Sequence, residues 1–262
     1  MAIHEGLGLL PIALCISAAF NFAISYTMAV LGNHIIAFVP FVSDTGALPP
    51  ESCVFGQFLN ITALLMAACF LVRYYQIKFH LDHKQFRIRI MNKLSLGFGI
   101  IAALGCSIVA NFQETNLFVI HCVGAYSCFG LGSLNAIVNL GLTYYLCLKN
   151  IIPKVLLYIR GMLTAIQFTS FLVMLISSRF IDQMNKMPPK IVNPKDENYS
   201  MFLVCTITEW VLVTAAFLYF GSLCFEFSKI NLKIHAESRT AKTPNPVKIS
   251  GNSIECPSES FS

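Results

Sequence analysis

Residues 200–224 read SMFLVCTITEWVLVTAAFLYFGSLC, with Glu209 as their only Asp, Glu, Lys or Arg. A helix needs about 20 mainly apolar residues to cross the hydrocarbon of a bilayer, and this stretch is long enough. Five further runs match it: 7–31, 53–72, 94–110, 117–147 and 156–178. The third is short and the fourth is long. A backbone in hydrocarbon must satisfy its own hydrogen bonds, so each run is expected as a helix. The alternating polarity of a membrane β-barrel is absent. The expected fold is therefore all-α: a polytopic membrane protein whose six-helix bundle fills residues 1–224. Residues 225–262 are rich in Ser, Pro and Asn and are expected as a disordered cytosolic tail.

Composition agrees. The 262 residues have a mean hydropathy of +0.67, and only 12% are Asp, Glu, Lys or Arg. A soluble domain carries about 25%. A soluble globule, a disordered chain and a disulfide-stapled secreted module are excluded. The net charge of +5 is too small to suggest a nucleic-acid partner. The first run lacks a basic start and exceeds the apolar core of a signal peptide, so it reads as a retained helix.

The distribution of charge sets the topology. With Arg160 assigned to the fourth loop, every Lys and Arg falls outside the runs. Fourteen then lie on the side of the termini and loops two and four, against four on the side of loops one, three and five. The positive-inside rule puts both termini in the cytosol. Loop two alone holds Arg73, Lys78, Lys84, Arg87, Arg89 and Lys93 against Asp82. These six are candidates for anionic lipid headgroups, at about 1 kcal/mol per residue near the surface.

Several motifs carry candidate chemistry. Ser43-Asp44-Thr45-Gly46 contains the Asp-Thr-Gly of aspartic proteases, but that chemistry needs two such carboxylates sharing a proton. One copy in a short loop reads as a turn, with Asp44 and Thr45 bonding the local backbone and Gly46 taking a positive φ. Pro49-Pro50-Glu51 reads as a helix start, with the acid near the positive end of the dipole. With Arg160 counted in its loop, Glu209 is the only charged residue inside a run, about 14 Å from the start of its helix. A charge at that depth costs at least about 2.5 kcal/mol on insertion scales, so Glu209 is a candidate proton or ion site. Without a partner charge or a repeat of acids, the better reading is a neutral carboxyl that donates a hydrogen bond between helices. Asn21, Asn60 and His121 are its plausible partners by depth. His121 by itself reads as an interfacial anchor, since a metal site needs several convergent ligands.

Small residues recur every four positions in the third run (Ser95, Gly99, Ala103) and the fourth (Gly124, Cys128, Gly132). Folding the chain at the short connector pairs Ala103 with Gly124, Gly99 with Cys128 and Ser95 with Gly132, which predicts a tight antiparallel hairpin. Of the ten cysteines, Cys53, Cys122 and Cys205 lie near helix ends on one side, where one bridge is geometrically allowed. Cys147 and Cys224 lie near helix ends on the other side. That position suits palmitoylation, although an unmodified thiol is the plainer reading. No phosphate-binding loop, nucleophile elbow or zinc pattern occurs, no cofactor is implied, and nothing argues for an enzyme.

The string Pro40-Phe41-Val42-Ser43-Asp44-Thr45-Gly46 with Pro49-Pro50-Glu51 and Phe55-Gly56 resembles the first-loop signature of the damage-regulated autophagy modulator (DRAM) family, within the wider Frag/DRAM/Sfk family. Asn111-Phe112-Gln113-Glu114 resembles its third-loop signature. His121, Asn193-Pro194 and Glu209-Trp210 follow in matching order. The resemblance implies a six-helix protein, often of lysosomal membranes, that promotes autophagy and influences cell death. It implies action through protein or lipid partners and no catalytic mechanism. The alternatives are a channel or transporter using Glu209, and a plasma-membrane scaffold of the kind linked to phosphoinositide-kinase recruitment.

Overall fold

The computed structural model describes residues 6–82, 84–181 and 199–231. Its helices are α1 (Leu9–Leu31), α2 (Glu51–Phe79), α3 (Phe86–Asn111), α4 (Phe118–Tyr126), α5 (Gly132–Leu148), α6 (Lys154–Ser177), α7 (Tyr199–Gly221) and the short α8 (Cys224–Phe227). A π-helical turn, Ser127–Leu131, joins α4 to α5, so that Phe118–Leu148 forms one span. Six spans are long and apolar enough to cross a membrane. Among the described residues there is no strand.

The helices outrun the apolar runs. Lys, Arg and Gln are good helix formers, so a helix does not stop where hydrophobicity stops. Helix α2 takes in Arg73 and Lys78, and α3 takes in Arg87, Arg89 and Lys93. Loop two shrinks to residues 80–85. Arg160 belongs to α6 rather than to a loop, and it is fully buried. Glu209 is therefore not the only charge inside a span.

Spans adjacent in sequence are adjacent in space. Helix α1 packs on α2, α2 on α3, α3 on α4 and α5, α5 on α6, and α6 on α7. Helix α7 closes the ring against α1. The main core cluster lies inside this ring and includes Leu14, Leu59, Met66, Phe70, Leu212 and Phe220.

The folded part runs past residue 224. Phe227 is fully buried and Glu226 is 4% exposed. The Leu7 N–H meets the carbonyls of Phe227 (3.0 Å) and Ile230 (3.1 Å), fastening the start of the chain to the end of the last span. Gly6 makes this approach with φ +63°, and a Cβ there would lie 2.5 Å from the Ile230 oxygen. The tail from residue 232 and Asn193-Pro194 lie outside the described residues.

The expected hairpin of α3 against the fourth span is present, in a different register. A Cβ on Gly105 would lie 2.6 Å from the Gly124 oxygen, so these two glycines make the close approach. Gly99 instead faces the Phe70 ring of α2. Gly132 is loosely packed, with Ala102 at 4.0 Å from where its Cβ would be. The four-residue spacing assumed an unbroken α-helix, and the π turn at 127–131 shifts the faces beyond it. No disulfide joins any two of the nine described cysteines, Cys53, Cys122 and Cys205 included. Cys147 and Cys224 are buried and do not present themselves for acylation.

Candidate functional site

The candidate residues separate into two ends of the ring. At the end of loops one and three, the family-like motifs converge into one cap. Residues 43–46 form a 3₁₀ turn. Asp44 Oδ2 accepts the Phe41 N–H at 3.1 Å, and Thr45 Oγ1 donates to the Val42 carbonyl at 2.7 Å. The turn expected from Asp and Thr is therefore present, but Gly46 does not take a positive φ. Gly46 is needed for space: a Cβ there would lie 2.2 Å from the Phe55 ring.

This turn is held from three sides. Ser43 Oγ donates to Glu114 Oε2 at 2.9 Å, joining loop one to loop three. The Val42 N–H donates to Glu209 Oε2 at 2.9 Å, and Trp210 Nε1 donates to the Pro40 carbonyl at 2.8 Å, so adjacent residues of α7 grip adjacent parts of the loop. Glu51, first residue of α2 after Pro50, is fully buried, and its Oε1 meets His34 Nδ1 at 2.5 Å. His121 is buried, not an interfacial anchor, and its Nδ1–H donates to the Phe112 carbonyl at 2.7 Å. Asn111 Nδ2 donates to Asn60 Oδ1 at 3.1 Å, while the Gln113 carbonyl accepts the Leu117 N–H at 3.0 Å.

Toward loop one the Glu209 carboxyl accepts, a bond additional to the donor role expected of it. Of the partners expected by depth, Asn60 donates from Nδ2 to Gly56 and Asn111 and accepts from the Ser107 hydroxyl, and the Asn21 amide has no hydrogen-bond partner. The bonding group is a backbone N–H, which carries no signature in sequence.

The other end holds a cluster that the sequence reading missed. Arg73, on α2, was counted as a headgroup candidate, but it is 3% exposed. Its Nη1 donates to Glu226 Oε2 and to Gln76 Oε1 (2.7 Å), and its Nη2 donates to Thr143 Oγ1 (2.9 Å). Arg160, on α6, places Nη1 2.5 Å from Glu226 Oε1 and donates from Nε to Ser222 Oγ at 2.9 Å. Gln76 Nε2 donates to Glu226 Oε2 at 2.9 Å. One carboxylate therefore sits between two guanidiniums, and neighbouring polar groups take up further N–H bonds. Desolvating three charges is costly, and such pairing offsets it. Arg160 and Glu226 each stand within four residues of an apolar run's end at this face. Opposite charges at the same end of two runs are the signal that could have exposed the pair.

The other five basic residues, Lys78, Lys84, Arg87, Arg89 and Lys93, are exposed at this end. Just beyond α2, Lys149 Nζ donates to Asp82 Oδ2 at 2.8 Å and to the His80 carbonyl at 3.0 Å, pinning loop two to the end of α5. Hydrogen bonding to Asp82 raises the Lys149 ammonium above its ordinary pKa. Burial, and then the Lys149 charge, lowers that of His80.

A model of the Frag1/DRAM/Sfk1/Cwh43P N-terminal domain matches residues 6–230. The chain is 38% identical over 237 residues to DNA damage-regulated autophagy modulator protein 2 of Homo sapiens, covering 89% of this chain and 88% of that protein. It is 37% identical to the Bos taurus protein of the same name over 238 residues, with the same coverage. It is 30% identical to DNA damage-regulated autophagy modulator protein 1 of Homo sapiens over 234 residues, covering 89% and 96%. No solved structure matches the chain. The chain belongs to the DRAM family, within the Frag1/DRAM/Sfk1/Cwh43P group.

Proposed function

We propose that this protein is a non-enzymatic, multi-pass regulator of autophagy in the lysosomal membrane, linked to cell death and acting through lipid or protein partners. The observation that carries this is the family match over residues 6–230, which spans the whole ring and both of its ends. Its relatives are named for modulating autophagy. The geometry suits a scaffold. Glu209, the residue a transport path would use, holds loop one in place. The exposed Lys78, Lys84, Arg87, Arg89 and Lys93 form the cytosolic contact surface, each contributing about 1 kcal/mol toward an anionic leaflet. Arg73 takes no part, since its charge is spent on Glu226.

The test is autophagic flux and the location of the tagged protein in starved cells. Loss of the protein lowers flux, re-expression restores it, and the tag coincides with a lysosomal membrane marker. Unchanged flux with the tag at the plasma membrane would sink the proposal.

A further inference from the structure

The ring of spans encloses a cavity of about 110 Å³. Its walls are mainly apolar, with Phe55, Met66, Phe70, Leu212 and Phe220 among them. Ser133 also lines it. Ser133 is 2% exposed, and its hydroxyl has no hydrogen-bond partner. A buried hydroxyl without a partner carries a penalty that a ligand's polar atom would remove. A second hollow of about 680 Å³ lies between α1 and α7, lined by Tyr26, Phe38 and Trp210. Phe22 borders both spaces. The partition is aromatic: the Phe22 ring stands 5.9 Å from that of Trp210 and 5.9 Å from that of Phe217. Rotation of side chains, with no break in any helix, would join the two hollows.

We propose that this cavity binds a compact, uncharged, mainly apolar molecule bearing one hydrogen-bonding group, which enters from the membrane past Phe22 and bonds to Ser133. Size sets the upper bound: an apolar cavity of about 150 Å³ holds benzene, so this smaller one takes a molecule of roughly four carbons. The ligand is uncharged because the nearby ions are already engaged: Arg73 and Arg160 with Glu226, and Glu209 with the Val42 N–H. A further ion against apolar walls would lack compensation.

The test is photolabelling of the full chain in lipid nanodiscs with a diazirine-bearing butanol, and mapping of the labelled residues. Label is expected on Met66 or Leu212, competed by excess butanol. Gly132→Leu should cut it about fivefold, since its added bulk enters the cavity where the first carbon meets only Ala102. Ala216→Leu fills the cavity from another wall and decides the matter if the first variant folds poorly. Ser133→Ala should lower labelling by the butanol probe about threefold and leave a diazirine probe lacking the hydroxyl unaffected. Phe22→Ala should speed labelling. Label confined to outward-facing residues such as Leu64 and Leu218, or cavity label unchanged by both filling variants, would overturn the site. Equal labelling by a diazirine-bearing butanoate would overturn the uncharged ligand, and an unchanged rate in Phe22→Ala would overturn the route.

Discussion

The Glu209 carboxyl, ten residues into α7, accepts the backbone N–H of Val42 at 2.9 Å across 167 positions of sequence. An acid that reads as a hydrogen bond between helices is thereby the fastening of a loop. Adjacent Trp210 bonds the Pro40 carbonyl, so the loop is held at two points two residues apart.

Glu209→Gln should keep both abundance and stability, because the amide oxygen still accepts from Val42. Glu209→Leu should lose about 1–3 kcal/mol, the cost of a buried N–H left unpaired. Thermal unfolding of the purified variants checks the ranking. A Gln variant that is stable but without autophagy-promoting activity would return Glu209 to a proton-carrying role.

Removing Glu226 should be more damaging. Glu226→Leu leaves two buried guanidiniums facing each other, at about 3–5 kcal/mol. Replacing Arg73, Arg160 and Glu226 together with Met, Met and Leu should recover most of the loss, since no uncompensated charge remains. A Glu226→Leu variant as stable as the parent would mean that the pairs contribute nothing to holding α8.

Gly105→Ala should destabilise the protein, because the new Cβ would lie 2.6 Å from the Gly124 backbone oxygen. Gly97→Ala has nothing within 4 Å and should be neutral or gain up to about 1 kcal/mol from helix propensity. Melting temperatures of the two variants, measured side by side, separate close helix contact from propensity.

The charge distribution predicts cytosolic termini, so a protease added to intact vesicles should remove a C-terminal tag and spare one placed in loop one. The imbalance of fourteen basic residues against four carries this expectation. Protection of the C-terminal tag would reverse the orientation.

His80 caps the end of α2, outside the spans, and burial lowers its pKa from the ordinary 6.5. Below about pH 6.5 the unfolded chain takes up the proton more readily than the folded one. The contribution of the neutral ring to stability is therefore present above that pH. It is lost as pH falls from 6.5 to the folded value. Thermal unfolding between pH 7.5 and 5 should show a shallow decline that His80→Asn flattens.

The six spans were legible because length and hydropathy are local quantities, and a lipid environment allows such a run little choice but helix. The loop-one turn was legible too, since Asp44 and Thr45 bond atoms three residues away. The sequence alone thus determined the spans and the turn. Tertiary structure decided which groups meet. Glu226 reads as the start of a tail, Arg73 as a headgroup ligand and Arg160 as a loop residue, each because hydropathy marks only where apolar runs stop. Their pairing spans 153 positions between Arg73 and Glu226 and has no period to detect. The same holds for the hairpin, where Gly105, and not Gly99, meets the opposing backbone at Gly124, ahead of the π turn. Burial of charge and register of packing depend on distances between helices, and those exist only once the ring has closed.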